Sequence, residues 1–153
     1  MGQPGPADET AQINEVIDTL HDAAARADGE TYFSLFSPTA RFIGTDAEER
    51  WSIEAFRAYA QPYFSQGRGW TYLPRERVIS LLPTACRCVA SFDERLYNSA
   101  YGETRGSGVL VKTNSGWKID QYVLSFVVPN DVARQVVALI AAEAQPVVAG
   151  VDD

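Results

Sequence analysis

The chain has 153 residues, 46% of them apolar, and a formal net charge of −7 at pH 7, which suits one domain with a hydrophobic core. The acidic balance argues against a nucleic-acid partner or an anionic membrane surface, because phosphate contacts need clustered Lys and Arg. No apolar run reaches the ~18 residues of a spanning helix, and MGQPGPADET lacks the basic and apolar parts of a signal peptide. We therefore expect a cytoplasmic protein without a membrane or nucleic-acid partner.

The N-terminal third predicts helices. Residues 1–8 are rich in Gly and Pro and are expected to form a flexible tail. From Glu9 to Ala27, apolar residues recur at helical spacing, and Gly29 is expected to end that helix. The buried stripe of this helix contains Ile13, Val16, Ile17, Leu20, Ala24 and Ala27.

Two more helices and a strand follow before the pattern changes. A short aromatic helix is expected over Glu30–Phe36 and should stop before Pro38. Ala40–Thr45 is typical of a short strand. Ser52 can cap a third helix over Ile53–Tyr63, with a break near Pro62.

The C-terminal half reads as strands, because runs of alternating residues are separated by Pro, Asn or Gly turns. Asn114-Ser115-Gly116 is a tight turn between the two longest strands. Helices first and hairpin-linked strands afterwards indicate an α+β fold. The expected elements are strands Trp70–Leu82, Ala85–Asn98, Tyr101–Thr113 and Gly116–Val128 and a last helix Asp131–Ala144.

The final strand is apolar on both faces. Alternation places Asp120, Tyr122, Leu124 and Phe126 on one side and Trp117, Ile119, Gln121, Val123 and Ser125 on the other. If one face packs against the core of the domain, the other apolar face must be buried against a partner. We therefore expect a homodimer formed through the outer face of the sheet.

Cys86 and Cys88 are the only cysteines. On one strand they would point the same way, which is poor geometry for a disulfide. With a single His in the chain, they also fall short of a four-ligand zinc site. We expect two buried, reduced thiols and no bound metal.

The order of elements and three segments resemble the SnoaL-like branch of the nuclear transport factor two-like superfamily, which includes ketosteroid isomerase. The segments are FIGTDAEERW (Phe42–Trp51), SFDERL (Ser91–Leu96) and RGSGVLVK followed by GWKIDQYVLSFVVPN. The resemblance implies a cone-shaped α+β barrel: a curved antiparallel or mixed sheet wrapped around the N-terminal helices, plus a C-terminal helix. It also implies a pocket at the open end of the cone and a dimer. We assign residues 9–130 to this domain and residues 131–153 to a C-terminal helix and tail.

The resemblance does not identify which reaction, if any, the protein catalyses. An isomerase of this superfamily needs an acid after the first strand and an oxyanion hole made by a tyrosine and a protonated aspartate. Asp46 follows the first strand, but His21 and Asp22 stand where the tyrosine is expected, and the run Gly106–Leu110 stands where the second acid is expected. Steroid isomerisation is therefore not expected.

Asp46 and Glu94 are the candidate catalytic acids. Asp46, walled by Phe42, Trp51 and Phe56, would lose hydration and gain a raised pKa; alternatively it caps the turn Thr45–Glu48. Glu94 is the one ionisable residue on an otherwise apolar strand face, so it must be paired, protonated or near water.

Arg105 on the neighbouring strand could pair with Glu94, or it could point inward and bind an anionic ligand. His21 is expected to be a hydrogen-bonded helix-surface histidine rather than a catalytic one. The candidate ligand-binding residues are Phe42, Trp51, Phe56, Tyr63, Trp70, Phe92, Arg105 and Tyr122, although core packing would explain most of the aromatic ones.

These observations favour a protein that binds a small, largely apolar organic molecule and, if it is an enzyme, catalyses isomerisation, cyclisation or dehydration without a cofactor. Asp46 or Glu94 would be the base, and Arg105 or Tyr122 would stabilise developing oxyanion charge. The alternative is a non-catalytic module for ligand binding or dimerisation, in which the pocket only completes the core.

Overall fold

The computed structural model describes Gly2 and residues 5–144, which form four α-helices and one six-stranded sheet. The helices are α1 (Pro6–Ala25), α2 (Gly29–Ser34), α3 (Ile53–Ser65) and α4 (Ala133–Ala144), and a short 3-10 turn covers Asn130–Val132. The strands are β1 (Phe36–Ile43), β2 (Arg50–Ser52), β3 (Leu73–Leu81), β4 (Val89–Asn98), β5 (Gly102–Thr113) and β6 (Gly116–Phe126).

The strands form one sheet in the order β2-β1-β6-β5-β4-β3. Only the β1–β6 pair is parallel; the other neighbours are antiparallel. This is the curved, mixed sheet that the sequence predicted, with the N-terminal helices on its inner face. The turn before Gly116, whose φ is +98°, joins the two longest strands as predicted.

The core lies between α1 and the inner face of the sheet. Ile13, Ile17 and Leu20 of α1 are buried at helical spacing in the same cluster as Leu96 and Ile119 of the sheet. Each such aliphatic side chain stabilises the fold by about 1.5–3 kcal/mol when fully buried. This packing holds α1 inside the curve of the sheet.

A β-bulge in β6 changes which residues face the core. Leu110 pairs with Ile119 and Val109 pairs with Gln121, so Asp120 is the extra residue. The hydroxyl groups of Ser37 and Thr39 donate to Asp120 at 2.6 and 2.7 Å. As a result the inward residues of β6 are Trp117, Ile119, Tyr122 and Leu124.

The uninterrupted alternation predicted for β6 is therefore wrong, because the bulge shifts the period by one residue. Trp117 and Ile119 are buried on the same inner side as Tyr122 and Leu124, although strict alternation placed the two pairs on opposite faces. Of the three apolar residues on the face with Trp117 and Ile119, only Val123 is left on the outer side.

A second bulge lies in β3. Arg75 pairs with Arg95 and Val78 with Asp93, which leaves Glu76 and Arg77 together opposite one residue of β4. Glu76 has a φ of +52°, a left-handed conformation uncommon for a residue with a side chain. The bulge turns Arg77 toward the inner face of the sheet.

The junction of α2 and β1 differs from the prediction. Phe36 begins β1 rather than ending the helix. Pro38 lies inside the strand, between Phe36 and Arg41, where the register is irregular and no ladder hydrogen bond needs an N–H. Gly29 starts α2, and Ala27, with a φ of +56°, follows the end of α1.

Helix α3 begins as predicted and ends later. The Ser52 side chain accepts a hydrogen bond from the Ala55 N–H at 3.2 Å, the expected cap. The helix continues past Pro62 to Ser65, because a proline this close to the C-terminus of a helix removes only one interior hydrogen bond.

The cysteine prediction is wrong. Cys86 and Cys88 form a disulfide, with their Cα atoms 5.1 Å apart. They lie in the turn before β4, where Arg87 has a φ of +50°, so the chain bends instead of extending by ~6.6 Å over two residues.

The N-terminal tail is shorter than predicted. Helix α1 starts at Pro6, so residues 6–8 of the predicted tail are helical. The C-terminal tail beyond Ala144 lies outside the described residues. None of the residues of α4 is buried. None of the described helices combines the length and apolarity needed to span a membrane.

Candidate active site

The wide end of the cone contains an open cavity of about 400 Å³ between the β1–β2 hairpin, α3 and the segment before β3. Its walls are mostly aromatic, and the hydroxyl-bearing Tyr59, Tyr72 and Tyr101 and the carboxylate of Glu49 add polar groups. We call this the mouth cavity. Its size and lining are typical of a site for a small organic molecule.

A much smaller space of about 20 Å³ lies deeper in the cone, and we call it the inner cavity. It adjoins the mouth cavity, because both are lined by Phe42, Trp70, Tyr72 and Leu124. His21 and Tyr122 also line the inner cavity. A space of this volume holds one water or one oxygen-sized group of a larger molecule.

His21 is bound to the buried acid of β4. Its Nε2 atom lies 2.5 Å from Oε1 of Glu94, and their side chains are 10% and 0% exposed. Because a carboxylate can only accept a hydrogen bond, Nε2 carries the proton and Nδ1 becomes the basic nitrogen of the neutral ring. A carboxylate behind an imidazole fixes its tautomer and stabilises its protonated form.

Arg77 holds the other oxygen of Glu94. Its Nε donates to Oε2 at 2.7 Å, and its Nη1 donates to Asp18 at 2.8 Å and to Asn14 at 3.0 Å. Its Nη2 is buried without a hydrogen-bond partner among the described residues. The guanidinium compensates the buried carboxylate, which would otherwise carry a large desolvation penalty.

The network is assembled from three elements. Asn14, Asp18 and His21 are spaced four and three residues apart, which places them on one face of α1. Glu94 belongs to the inward set of β4. Arg77 reaches it from β3, where the bulge lies opposite Glu94.

Tyr122 faces His21 across the inner cavity. The two rings are 6.4 Å apart between centroids and inclined at 73°. Gly106 lies opposite Glu94 on the adjacent strand, and a Cβ at that position would lie 2.5 Å from the Tyr122 hydroxyl oxygen. The absence of a side chain at Gly106 therefore lets the phenol take this position.

Burial raises the pKa of Tyr122 well above its usual value, and the negative charge of Glu94 raises it further. A buried tyrosine beside a carboxylate stays protonated at physiological pH. Tyr122, which lines the inner cavity, therefore keeps a hydroxyl group that can donate a hydrogen bond. Burial likewise raises the pKa of Tyr72, to about 12.

The predicted acids have different positions. Glu94 lies behind His21 and does not line either cavity. Asp46 is exposed in the turn after β1, and its carboxylate accepts from the Glu48 N–H at 2.9 Å, which is the capping role given as the alternative. It lines neither cavity.

Arg105 does not take either of its predicted roles. It lies opposite Arg95 on the exposed outer face of the sheet, because side chains alternate along β5 and Gly106 is the inward residue. Arg77 and His21 occupy both oxygens of Glu94 instead.

The predicted aromatic residues fall into two groups. Tyr63 is exposed on α3 outside both cavities, and Phe92 is buried in the core against Tyr122, with ring centroids 6.0 Å apart. The others line the cavities: Phe42, Trp51, Phe56 and Trp70 the mouth cavity and Tyr122 the inner one.

The sequence reasoning missed Arg77 and underrated His21. Two signals were available: polar residues Asn14, Asp18 and His21 recur beside the apolar stripe of α1, and Glu94 stands alone on an apolar face. Arg77 connects Asn14 and Asp18 to Glu94. Its direction depends on a bulge that cannot be predicted from the residue pattern of β3.

Residues 13–129 match the SnoaL-like domain family, whereas no curated protein matches the chain. One similar solved structure is a Streptomyces avermitilis protein described as a candidate dehydratase of the NTF2-like family: 14% identity, a TM-score of 0.68, and 82% of this chain and 100% of that one covered. An NTF2-like protein with a cystatin-like fold from Novosphingobium aromaticivorans is 12% identical, with a TM-score of 0.62 over 85% and 89% of the two chains.

An NTF2-like protein of unknown function from Pseudomonas putida is also 12% identical, with a TM-score of 0.65 over 87% and 94% of the two chains. At these identities the structural likeness establishes the fold, and the family match covers most of the chain. The chain therefore belongs to the SnoaL-like domain family, and its fold is that of the NTF2-like proteins.

Proposed function

We propose that this protein binds a small, largely apolar organic molecule in the mouth cavity and moves a proton on it without a cofactor. The observation that carries the proposal is the His21–Glu94 pair, which meets the phenol of Tyr122 across a space for a single oxygen-sized group. A base and a hydrogen-bond donor on either side of such a space suit a carbonyl oxygen and the carbon beside it.

In this mechanism the carbonyl oxygen of the ligand enters the inner cavity and accepts a hydrogen bond from Tyr122. Nδ1 of His21 removes a proton from the adjacent carbon, and the C–H electron pair moves into the enolate, whose oxygen Tyr122 stabilises. Glu94 stabilises the imidazolium that forms, so it is a positioning residue. Arg77 holds Glu94 in place.

Return of the proton to another carbon completes an isomerisation, and loss of a β-hydroxyl as water completes a dehydration. Dehydration is the activity suggested for the Streptomyces avermitilis protein. Both reactions, and aldol-type cyclisation, share the same first proton transfer. The proposal therefore concerns that step.

The test is deuterium exchange at carbons next to a carbonyl, measured by mass spectrometry for a panel of cyclic and aromatic ketones in D₂O. We expect His21→Gln to abolish the exchange that the wild type catalyses and Tyr122→Phe to slow it about 100- to 1,000-fold. Asp46→Asn is the matched control and should exchange at the wild-type rate. Exchange that survives in His21→Gln would refute the assignment.

The second candidate is a non-catalytic ligand-binding protein. It is favoured by the small volume of the inner cavity, about 20 Å³, which has space for one oxygen-sized group only. If ligand-observed NMR detects ketones bound to the wild type but no exchange occurs, this second function replaces the first.

A further inference from the structure

The mouth cavity contains a charge that the proposed proton transfer does not use. Glu49 is its one acidic residue, and no Lys or Arg lines it. Within residues 5–144 the Glu49 carboxylate has no ion pair and no side-chain hydrogen bond. A half-buried carboxylate without a partner needs water or a cation.

The hairpin turn between β1 and β2 sets the position of this carboxylate. The Gly44 N–H donates to the Glu49 carbonyl at 2.8 Å, which closes the turn. A Cβ on Gly44 would lie only 2.4 Å from Oε2 of Glu49. The carboxylate therefore rests over a glycine that leaves space for it, at the edge of the mouth cavity.

Aromatic faces surround the same space. Trp51 and Tyr59 are stacked, with their centroids 5.2 Å apart, and Tyr72 and Tyr101 also line the cavity. Tyr59 and Tyr101 are about half exposed. Burial raises the pKa of Tyr59 and Tyr72, and the negative charge of Glu49 adds a smaller contribution in the same direction.

We propose that the mouth cavity selects organic cations, and that the ligand carries an ammonium group that Glu49 and the faces of Trp51, Tyr59, Tyr72 and Tyr101 bind. Aromatic faces attract ammonium groups through their electron-rich centres, and the carboxylate supplies the matching charge. An anionic ligand would meet Glu49 without any compensating Lys or Arg. The overall charge of −7 also favours the approach of cations.

This inference rests on the proposed function in one respect: it takes the molecule bound in the mouth cavity to be the substrate. The ammonium would lie at the mouth while a carbonyl group reaches the inner cavity, since the two spaces share four wall residues. The substrate class is then an amine or quaternary ammonium compound that also carries a ketone or aldehyde.

The experiment compares choline with 3,3-dimethylbutan-1-ol, an uncharged molecule of the same shape, by ligand-observed NMR titration against the full chain. We expect wild-type protein to bind choline about 10-fold more tightly than the alcohol. Glu49→Gln should remove this preference. Glu48→Gln, the exposed neighbour in the same turn, makes the same change in net charge and should retain it.

Three results would overturn the inference: no detectable binding of choline, equal binding of choline and the alcohol by the wild type, or equal losses in Glu49→Gln and Glu48→Gln. The readout is affinity and needs no turnover. Choline binding without deuterium exchange on any ketone would therefore reject only the proposed proton transfer. Exchange without choline binding would reject only the ligand class.

Discussion

The substitution Glu94→Gln tests the buried network most directly. It removes the charge that pairs with Arg77 while keeping the size of the side chain. Arg77 is 10% exposed and would keep only Asp18, whose side chain is 65% exposed, as a charged partner. Removing one partner of a buried ion pair costs about 3–5 kcal/mol, because the other charge remains desolvated.

That cost is a large part of a typical unfolding free energy of about 5–15 kcal/mol. For a chain of this size, 1 kcal/mol lowers the melting temperature by roughly 2–4 °C. We therefore expect Glu94→Gln to melt about 6–20 °C below the wild type. Thermal melts and urea titrations, both followed by circular dichroism, measure the change.

Two further variants sharpen this test. Glu103→Gln is the matched control, since the Glu103 side chain is 36% exposed between Arg75 and Arg95; an exposed pair contributes about 0–1 kcal/mol. The double variant Arg77→Met with Glu94→Gln removes both charges and should recover part of the lost stability. A Glu94→Gln melting temperature within about 2 °C of the wild type, or additive losses in the double variant, would refute this account of the network.

The remaining predictions concern Tyr122, the outer face and one carboxylate. Gly106→Ala should displace the Tyr122 hydroxyl, since the added Cβ would lie 2.5 Å from it, and should slow deuterium exchange. Gly5→Ala, where the backbone φ is −71° and the added Cβ would lie 3.9 Å from its nearest contact, should not. We propose that a second copy of the chain covers the outward residues of β6, so Val123→Asp should convert a dimer to a monomer by light scattering. Hydrogen bonds from Lys112 and from Trp117, the latter at 2.6 Å, lower the pKa of Glu9 despite its burial. The stability advantage of the wild type over Glu9→Gln should therefore be complete above about pH 4.5 and should shrink as the pH falls below that value.

Each of these has an outcome that contradicts it. Unchanged exchange in Gly106→Ala would mean that the phenol position does not matter. A Val123→Asp protein that stays dimeric would show that the dimer interface does not include the outward residues of β6. An advantage over Glu9→Gln that is constant from pH 3 to pH 7, measured by urea titration, would show that the carboxylate keeps its usual pKa of 4.5.

Apart from the three-residue strand β2, which the sequence analysis did not predict, the order of helices and strands follows from the sequence, because it depends on local patterns. The apolar spacing in α1, the Ser52 cap and the turn before Gly116 each act within a few residues, and all three are present as predicted. The inward position of Glu94 on β4 also follows from simple alternation. Such features need no knowledge of what lies across the fold.

The site depends on features that alternation cannot provide. The bulge at Asp120 turns Tyr122 into the cone, and the bulge at Glu76 turns Arg77 toward Glu94. A one-residue shift reverses the face of every later side chain in a strand, and its place is set by the partner strand. The turn that brings Cys86 and Cys88 together also cannot be predicted from the alternation of residues along a strand.

The amino-acid sequence by itself determined the element order, the apolar face of α1 and the isolation of Glu94 among apolar neighbours. Only the tertiary structure decided that His21, Glu94 and Arg77 form one network and that Tyr122 meets it. Glu94 is 73 positions from His21 and 17 from Arg77 in the chain, so these contacts arise from strand register and bulges, which are set when the sheet closes around α1.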